Sequence, residues 1–395
     1  MFKAGVGFSK SHNPKRAGRE AAEAAIAALG DNSPDFVLTF ATVGYEQDQL
    51  LSAIAEIVTD TPICGCSGEG VIAGAKTDES NFAVGVLAVA SDEVRFHSGF
   101  VPKINSDPQR AGIKLGLELK DLGWDDLLGV LVLADGVHIN LDRIVTSLKE
   151  NLEKDVPFIG GAAGDNWKLT KTYQYANGKA FTDGMTWVAI GGKAQLDWTL
   201  SHGCVPIGGV RTVTRAKGNE LYEIDGQPVL DVLSEYLSLA DTWDNPIGNI
   251  SFGFEAPSEF EDCDDPYKFL ITHVAPTSED AKRGCVVIPR EVVEGTKIWI
   301  MRRDHDKISS GNKRMADKLR ARHSCQPALV IHIDCASRGR ACFGEQKKVE
   351  LLHDLRAAIG ETTPWIGFYS YGEFCPVGAL NCGHCYTAVL ATLHV

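Results

Sequence analysis

Apolar positions along the chain follow one succession of spacings three times. A short apolar run of strand length is followed by a run with the spacing of an amphipathic helix, and then by a second apolar run that breaks at glycine. The first strands fall at residues 36–40, 129–133 and 328–333, and the helices at 47–58, 141–152 and 346–359. The pattern predicts a β–loop–α–β–Gly-turn unit that is repeated three times.

The glycine turn that closes each unit has a recurrent composition, and we refer to it as a corner. The corners cover residues 62–69, 157–166 and 364–373, and each begins with Pro, two apolar residues and Gly and ends beside an acidic residue. Glycine at a fixed place indicates a backbone with positive φ, or one that another group approaches closely.

Two interpretations of the corners stay open. They are structural junctions between strands, or they converge on one cleft and bind a ligand there. On the second interpretation we expect Asp165 to face the pocket and Glu69 to cap its own turn. The ligand-binding residues of the corners are then Gly160, Gly161, Asp165, Asn166, Gly372 and Glu373.

Further apolar runs surround these units, at residues 82–89, 94–100, 185–191 and 198–203. Their length and the turn residues between them indicate strands of a largely antiparallel sheet. Clusters of Gly with Pro or Asn at 206–209 and 217–219 favour a domain boundary near residue 219. We therefore predict an α/β (α+β) protein with two domains, 1–219 and 220–395, whose mixed, largely antiparallel sheets are flanked by helices.

Composition narrows the class of partner. The 395 residues carry a net charge of −13, and their hydrophobic content of 44% is typical of a globular protein. An acidic balance argues against nucleic acid, because affinity for phosphate backbones comes mainly from basic clusters. The apolar runs are too short to span a membrane, and the first residues lack the apolar core of a signal peptide. We expect a cytoplasmic protein with neither a nucleic-acid nor a membrane partner.

The cysteines are concentrated towards the C-terminus, where six of the 11 follow residue 324. Cys375, Cys382 and Cys385, together with His384, have the ligand types that zinc or an iron–sulfur cluster requires. A Cys-x2-Cys pair lets two thiolates reach one metal ion. The alternative is that these are small, buried side chains of a sheet.

The order of the motifs resembles the FIST family. The first half is similar to the FIST N-terminal domain through Gly-Cys-Ser-Gly-Glu at 65–69 and Phe-Ile-Gly-Gly-Ala-Ala-Gly-Asp-Asn at 158–166. The second half is similar to the FIST C-terminal domain, and the matching motifs are Tyr-Glu-Ile-Asp-Gly-Gln-Pro at 222–228, Glu-Gly-Thr at 294–296, Cys-Ala-Ser-Arg-Gly at 335–339 and Gly-Phe-Tyr-Ser-Tyr-Gly-Glu at 367–373. The resemblance covers roughly residues 36–390.

The resemblance implies a sensory or ligand-binding module of signal transduction rather than an enzyme. It places a small ligand or cofactor in a cleft between the two halves. Bacterial members are associated with histidine kinases and cyclic-dinucleotide enzymes, so a separate partner of this kind is expected. One departure lies at 381–387, where Asn-Cys-Gly-His-Cys-Tyr-Thr replaces the usual Asn-x-Thr type strand.

The resemblance also makes Arg338 a ligand anchor, with Cys335 beside it. Two alternatives stay open here. One is an uncharacterised enzyme with Cys335 as nucleophile, since a nearby Arg can lower the pKa of a thiol. The other is a structural bridge between Arg338 and a carboxylate such as Glu373.

Haem is a further expectation, because some stand-alone bacterial members are described as haem proteins that sense nitric oxide. Candidate axial ligands are His202, His138 and His384. The order Cys-Gly-His-Cys at 382–385 differs from the Cys-x2-Cys-His motif of covalent attachment. Any haem would therefore be non-covalent haem b.

Overall fold

The helices of the protein pack against the outer faces of its sheets. The computed structural model describes residues 1–137, 139–152, 155–236, 250–256, 269–274, 277–378 and 380–395. Its helices are α1 (Pro14–Ala27), α2 (Gln47–Val58), α3 (Pro108–Asp121), α4 (Leu141–Lys149), α5 (Val229–Ser234), α6 (Ser278–Arg283), α7 (His305–Arg322) and α8 (Arg340–Ile359), with a 3-10 turn at Ala336–Arg338. Among the described residues, no helix combines the length and the apolar character needed to cross a membrane.

The strands are short and numerous. In chain order they are β1 (Phe2–Ser9), β2 (Phe36–Ala41), β3 (Ile63–Ser67), β4 (Gly70–Ala73), β5 (Lys76–Asp78), β6 (Val84–Ser91), β7 (Val94–Pro102), β8 (Leu127–Ala134), β9 (Phe158–Ala162), β10 (Gln174–Ala176), β11 (Lys179–Phe181), β12 (Gly184–Gly192), β13 (Gln195–Ser201), β14 (Cys204–Pro206), β15 (Arg211–Lys217), β16 (Glu220–Ile224), β17 (Gln227–Pro228), β18 (Ile250–Glu255), β19 (Phe269–His273), β20 (Val286–Val287), β21 (Lys297–Arg303), β22 (Leu329–Cys335), β23 (Trp365–Ser370), β24 (Gly372–Val377), β25 (Leu380–His384) and β26 (Ala388–His394).

Three of the sheets have six strands each and the same internal order. The first sheet runs β1-β6-β2-β3-β10-β11, the second β7-β12-β8-β9-β24-β25 and the third β13-β26-β22-β23-β4-β5. In each sheet one central pair is parallel, namely β2 with β3, β8 with β9 and β22 with β23, and the other pairs are antiparallel. The predicted fold class is confirmed, and the three predicted units are the centres of the three sheets.

Each repeat gives its hairpin to the sheet of another repeat. The hairpin β4–β5 of the first repeat pairs with β23 of the third, and β24–β25 of the third pairs with β9 of the second. The hairpin β10–β11 of the second repeat pairs with β3 of the first, which closes the cycle. The corners are therefore the places where the chain passes from one sheet to the next.

The first helix of each repeat begins in the same way. An Asn or Asp side chain accepts a hydrogen bond from the main-chain N–H three residues on, at 2.9–3.0 Å. These caps are Asn13 for α1, Asp107 for α3 and Asp304 for α7. Such caps satisfy N–H groups that the first helical turn leaves without a partner.

The core lies between the three sheets. Their inner faces share one apolar cluster that includes Phe40 of the first sheet, Ile159 of the second and Phe368 of the third. The Phe40 and Phe368 rings stack with centroids 4.6 Å apart. The outer faces are covered by α1 and α2, by α3 and α4, and by α7 and α8, each with a separate core cluster.

A fourth sheet is inserted into the third repeat, between β13 and α7. Its strands are β14 to β21, in the order β17-β16-β15-β21-β18-β19 with β14 on β21 and β20 on β16. The insertion leaves and rejoins the repeat at one place, because the Asp304 N–H donates to the Gly203 carbonyl oxygen at 3.1 Å. Residue 219 lies in the turn between β15 and β16.

Candidate functional site

The three corners meet at the centre of the molecule. Main-chain hydrogen bonds link each corner to the next and close a ring. The bonds are Glu69 N–H to Tyr369 O at 2.9 Å, Tyr371 N–H to Ala162 O at 3.0 Å and Gly164 N–H to Ser67 O at 3.0 Å. We call this ring and the side chains on it the junction. It joins residues from both halves of the chain.

The first glycine of each corner is required by close packing of the backbone. A Cβ atom would lie 1.7 Å from the Thr39 oxygen at Gly65 and 1.8 Å from the Val132 oxygen at Gly160. At Gly367 it would lie 1.8 Å from the oxygen of His332. The parallel strands of each repeat can thus approach only where a side chain is absent.

The acidic residues that end the three corners are not equivalent once the corners are aligned on these glycines. Glu69, Asp165 and Glu373 follow their corner glycines by four, five and six residues respectively. They occupy successive positions instead of one repeated position. The position of Glu69 is taken by Gly164 in the second corner and by Tyr371 in the third.

Tyr371 connects two of the three acidic residues. Its hydroxyl oxygen lies 2.9 Å from Glu69 Oε2 and 2.9 Å from Asp165 Oδ1. The Trp167 N–H donates to both Tyr371 Oη at 2.6 Å and Glu69 Oε2 at 2.9 Å. The sequence pattern did not single out Tyr371, although its position four residues after Gly367 is the signal that relates it to Glu69.

The two carboxyl groups beside Tyr371 differ in their affinity for protons. Burial raises the pKa of Glu69 to about 7, against hydrogen bonds from Tyr371 and Trp167 that favour the charged form. Burial alone would also raise the pKa of Asp165, but hydrogen bonds to its carboxylate lower it below its usual value. Those bonds come from Tyr371 and from the main-chain N–H groups of Leu169, Thr170 and Lys171. The junction therefore pairs an ionised Asp165 with a Glu69 that titrates near neutral pH.

Glu69 also has an oxygen that is available for a further hydrogen bond. Its side chain is 0% exposed, and Oε1 has no hydrogen-bond partner among the described residues. A buried carboxyl oxygen without a donor is costly unless something else supplies one. This oxygen can accept one further hydrogen bond.

The loop that follows the second corner is held in a strained conformation over the junction. Asn166, Trp167 and Leu169 have φ values of 65°, 59° and 51°, in the left-handed region that side chains other than glycine rarely adopt. Asp165 and Glu69 hold the loop through the main-chain bonds described above. Strain of this kind persists only where other contacts enforce it, and it is concentrated at functional sites.

Glu373 and Cys335 lie together on the other side of the third corner. Glu373 is fully buried, and its oxygens accept from Ser370 Oγ at 2.6 Å and from the Thr387 N–H at 3.1 Å. Burial raises the pKa of Glu373 to about 8 and raises the pKa of the Cys335 thiol well above its usual value. A buried thiol that keeps its proton is a weak nucleophile. Gly161 and Gly372 line the same place, as β9 and β24 pair Gly161 with Glu373 and Gly372 with Ala162.

Arg338 points away from the junction. Its Nε donates to Asp334 Oδ1 at 2.7 Å, and its Nη2 donates to Asn312 Oδ1 at 2.8 Å. Its Nη1 donates to the main-chain oxygen of His202 at 3.0 Å. The carboxylate that bridges Arg338 is thus Asp334 and not Glu373, because the 3-10 turn directs the guanidinium between β22 and α7.

The three cysteines proposed as metal ligands are divided between a strand pair and a separate apolar cluster. Cys375 is opposite Cys382 in the β24–β25 ladder, whereas Cys385 follows His384 and packs in a separate apolar cluster with Cys204 and Tyr386. The His384 Nε2 lies 3.0 Å from the Cys375 main-chain oxygen, and burial lowers the pKa of His384 to about 4. Among the described residues, no group of three or more His, Cys, Asp or Glu side chains is arranged to hold a metal ion.

Two of the three histidines proposed for haem, His202 and His384, do not fit that cofactor. His202 is 1% exposed, and its Nδ1 accepts from the Cys204 N–H at 2.8 Å. His384 is 3% exposed, with the Cys375 carbonyl beside its Nε2. An axial ligand needs an open face beside one ring nitrogen, where the porphyrin can lie. His138 lies outside the described residues.

Comparison with known proteins agrees with this architecture. The FIST N domain model matches residues 35–227, and the FIST C domain model matches residues 230–376. An uncharacterised protein of Mycobacterium tuberculosis is 26% identical over an alignment of 396 positions that covers 98% of each chain. An uncharacterised protein of Methanocaldococcus jannaschii is 25% identical over an alignment of 349 positions, which covers 83% of this chain and 65% of that relative's length.

Solved structures add little. Thermotoga maritima PurL complexed with ADP is 10% identical with a TM-score of 0.24, covering 100% of this chain and 71% of that chain. A likeness at that level carries no inference about fold or ligand. The two domain models, by contrast, match most of the chain, and FIST domains are sensory domains of signal transduction. The chain belongs to the FIST family.

Proposed function

We propose that this protein is a sensor that binds a small ligand at the junction and transmits the binding to a separate signalling protein. The observation that supports the proposal is the meeting of all three corners around Glu69, Asp165 and Tyr371. Glu69 and Asp165 belong to the FIST N domain and Tyr371 to the FIST C domain. A ligand held there contacts both domains at once.

The chemistry of the junction favours a ligand with an N–H donor, such as an ammonium group. Asp165 is ionised, and Glu69 Oε1 is buried with no donor in the described part of the chain. A cationic donor placed against Glu69 favours the charged form of the carboxyl group, so it lowers the pKa of Glu69 from about 7. Ligand binding would therefore release a proton.

The strained loop supplies a route from the ligand to a partner. A donor that binds Oε1 of Glu69 ionises the carboxyl group and so strengthens the hydrogen bond that Oε2 accepts from the Trp167 N–H. The loop at residues 166–169 is then held more firmly in its left-handed conformations. Leu169 is 42% exposed, so the change occurs at the surface. We propose a histidine kinase or a cyclic-dinucleotide enzyme as the protein that detects it.

Calorimetric titration of the full chain tests this proposal. The probes are a panel of amino acids, linear diamines and guanidines, measured against wild type and the Glu69→Gln and Tyr371→Phe variants. We expect at least one probe to bind wild type and to bind both variants roughly tenfold more weakly, because each loses a hydrogen bond to a charged group.

The control is Glu118→Gln, which changes a carboxylate that accepts from the Trp187 indole at 2.9 Å in the second repeat, away from the junction. It should bind the probe as wild type does. Equal affinity in wild type, Glu69→Gln and Tyr371→Phe would place the ligand elsewhere and refute the proposal.

A further inference from the structure

The helix layers of the three repeats differ in polarity. The layers under α1 and α2 and under α3 and α4 bury mainly apolar side chains. Under α7 and α8, five polar or charged side chains are buried at 3–8% exposure around one cavity covered by Phe343. We call this the third-repeat chamber, and its polar lining is Asn312, His332, Asp334, Arg338 and Lys348.

The chamber is rich in hydrogen-bond donors. Arg338 uses one N–H of each of its three nitrogens on Asp334, Asn312 and His202, which leaves two N–H groups on the guanidinium. Asn312 accepts from Arg338 through Oδ1, so its amide nitrogen retains two donors. The Lys348 ammonium lies 3.1 Å from Glu79 Oε1 and 2.8 Å from Glu345 Oε2.

His332 adds a buried donor whose nearest acceptor is the carboxylate of Asp334. Its Nδ1 accepts from the Trp365 indole N–H at 3.4 Å, which assigns the proton of a neutral ring to Nε2. The Nε2 atom is buried, has no hydrogen-bond partner in the described part of the chain and lies 3.6 Å from Asp334 Oδ2. That distance is too long for a hydrogen bond. A buried N–H of this kind calls for an acceptor inside the cavity.

We propose that the third-repeat chamber binds a small monovalent anion of the size of chloride, held beside Lys348 by the N–H groups of Arg338, Asn312 and His332. The cavity encloses about 10 Å³, which is room for about one water-sized occupant. A water molecule must donate as well as accept, whereas a halide only accepts and so matches an excess of donors. The site is separate from the junction and does not depend on the ligand proposed there.

The carboxylates near the chamber are balanced by its cations. Asp334 faces the cavity, and its charge is offset by Arg338 at 2.7 Å. Lys348 is paired with Glu79 and with Glu345, and burial raises the pKa of Glu79. The chamber therefore has no net positive charge to spare, and an added anion is held by hydrogen bonds from the N–H groups of Arg338, Asn312 and His332.

Access to the chamber is provided at a break in α8. Gly344 has φ 71° and ψ 174°, which interrupts the helix directly after Phe343. Gly344 is exposed, and a Cβ atom there would meet nothing within 4 Å. An anion that enters from this side passes Phe343, which lines the cavity, and Lys348, whose other partner Glu345 is 59% exposed.

Crystals of the full chain grown in bromide locate the site directly. We expect an anomalous peak inside the chamber, within contact distance of Arg338 and Lys348. A bromide peak found only on the molecular surface, or no peak, overturns the proposal.

Thermal unfolding gives the second measurement, with bromide titrated against gluconate, an anion too large for the cavity. Wild type should be stabilised with saturation, and Lys348→Met should need roughly tenfold more bromide. The control Gln47→Leu removes a buried polar side chain of the first repeat's helix layer and should titrate as wild type. An unchanged titration in Lys348→Met refutes the role of the chamber, and if that variant does not fold, the bromide crystals decide.

Discussion

Tyr371 has one phenol proton and two carboxyl neighbours. It lies 2.9 Å from an oxygen of Glu69 and of Asp165, and it can donate to only one of them. Asp165 is held ionised by main-chain N–H groups, whereas burial raises the pKa of Glu69 to about 7. The phenol therefore donates to Asp165 while Glu69 carries its own proton, and titration of Glu69 changes the hydrogen bonds of the junction.

This proton makes stability depend on pH. The pKa of Glu69 is raised in the folded state, from 4.5 to about 7, so its protonated form stabilises the fold below pH 4.5. That contribution is lost as the pH rises through about 7. Between about pH 5 and about pH 8, wild type should lose roughly 2 kcal/mol more unfolding free energy than Glu69→Gln, measured by denaturant unfolding. Parallel pH profiles for the two proteins would contradict this assignment.

The sequence predicted individual site residues unevenly. The sequence predicts that Asp165 faces a pocket and that Glu69 caps its own turn, and the structure exchanges these roles. Asp165 accepts from main-chain N–H groups of the turn that follows it, at residues 169–171. Glu69 instead contacts Trp167 and Tyr371 of the other two repeats. Tyr371 has its role because an exchanged hairpin brings it against the other corners, which no local pattern reveals. His332 and Asp334 could have been found, since two polar side chains two residues apart interrupt the apolar strand β22 on one face.

At the scale of elements, the corner glycines are the feature that the sequence showed most clearly. Gly65, Gly160 and Gly367 recur because a carbonyl oxygen of the neighbouring parallel strand occupies the space of a side chain. The apolar runs also predicted the strand and the helix of each unit, because their periodicity depends only on neighbouring residues in the chain. The pairing of β4 with β23, or of β24 with β9, joins residues far apart in the chain and is set by packing that no single segment specifies.

A substitution at one corner glycine tests this packing role. Gly160→Ala should lower the unfolding free energy by about 3 kcal/mol, because the added Cβ atom would lie 1.8 Å from the Val132 oxygen. Gly209→Ala is the control, as its Cβ atom would meet nothing within 4 Å, and it should change stability by less than about 0.5 kcal/mol. Equal stability of the two variants in chemical denaturation would mean that β8 and β9 can separate at this point.

At the scale of the whole molecule, the exchange of hairpins makes the three repeats interdependent. Removal of all residues after β13 would leave β4 without β23, β9 without β24 and β13 without β26. The inserted sheet gives no strand to the other three sheets. It contacts them where Gly203 accepts from Asp304, where Ile271 O accepts from the Cys385 N–H at 3.0 Å and where Arg303 donates to the Ser337 oxygen at 2.6 Å.

Truncation distinguishes these two connections. A fragment of residues 1–203 should fail to give a folded monomer, judged by circular dichroism and size-exclusion chromatography, since three strand edges lose their partners. A chain in which a short glycine linker replaces residues 204–303 should keep the ring and fold. A stable, monomeric 1–203 fragment would show that the first two repeats do not need the third.

Exchange in a closed cycle has a consequence for how such a molecule can be built. Each repeat gives its hairpin to the sheet of one other repeat and receives the equivalent hairpin from the remaining repeat. Consider a short polypeptide about as long as one repeat without the inserted sheet. Three copies of it could assemble into the same ring as a symmetric trimer. In a single chain the three repeats can differ in sequence at equivalent positions. Glu69, Gly164 and Tyr371 are such a set, with three different side chains at one repeated position.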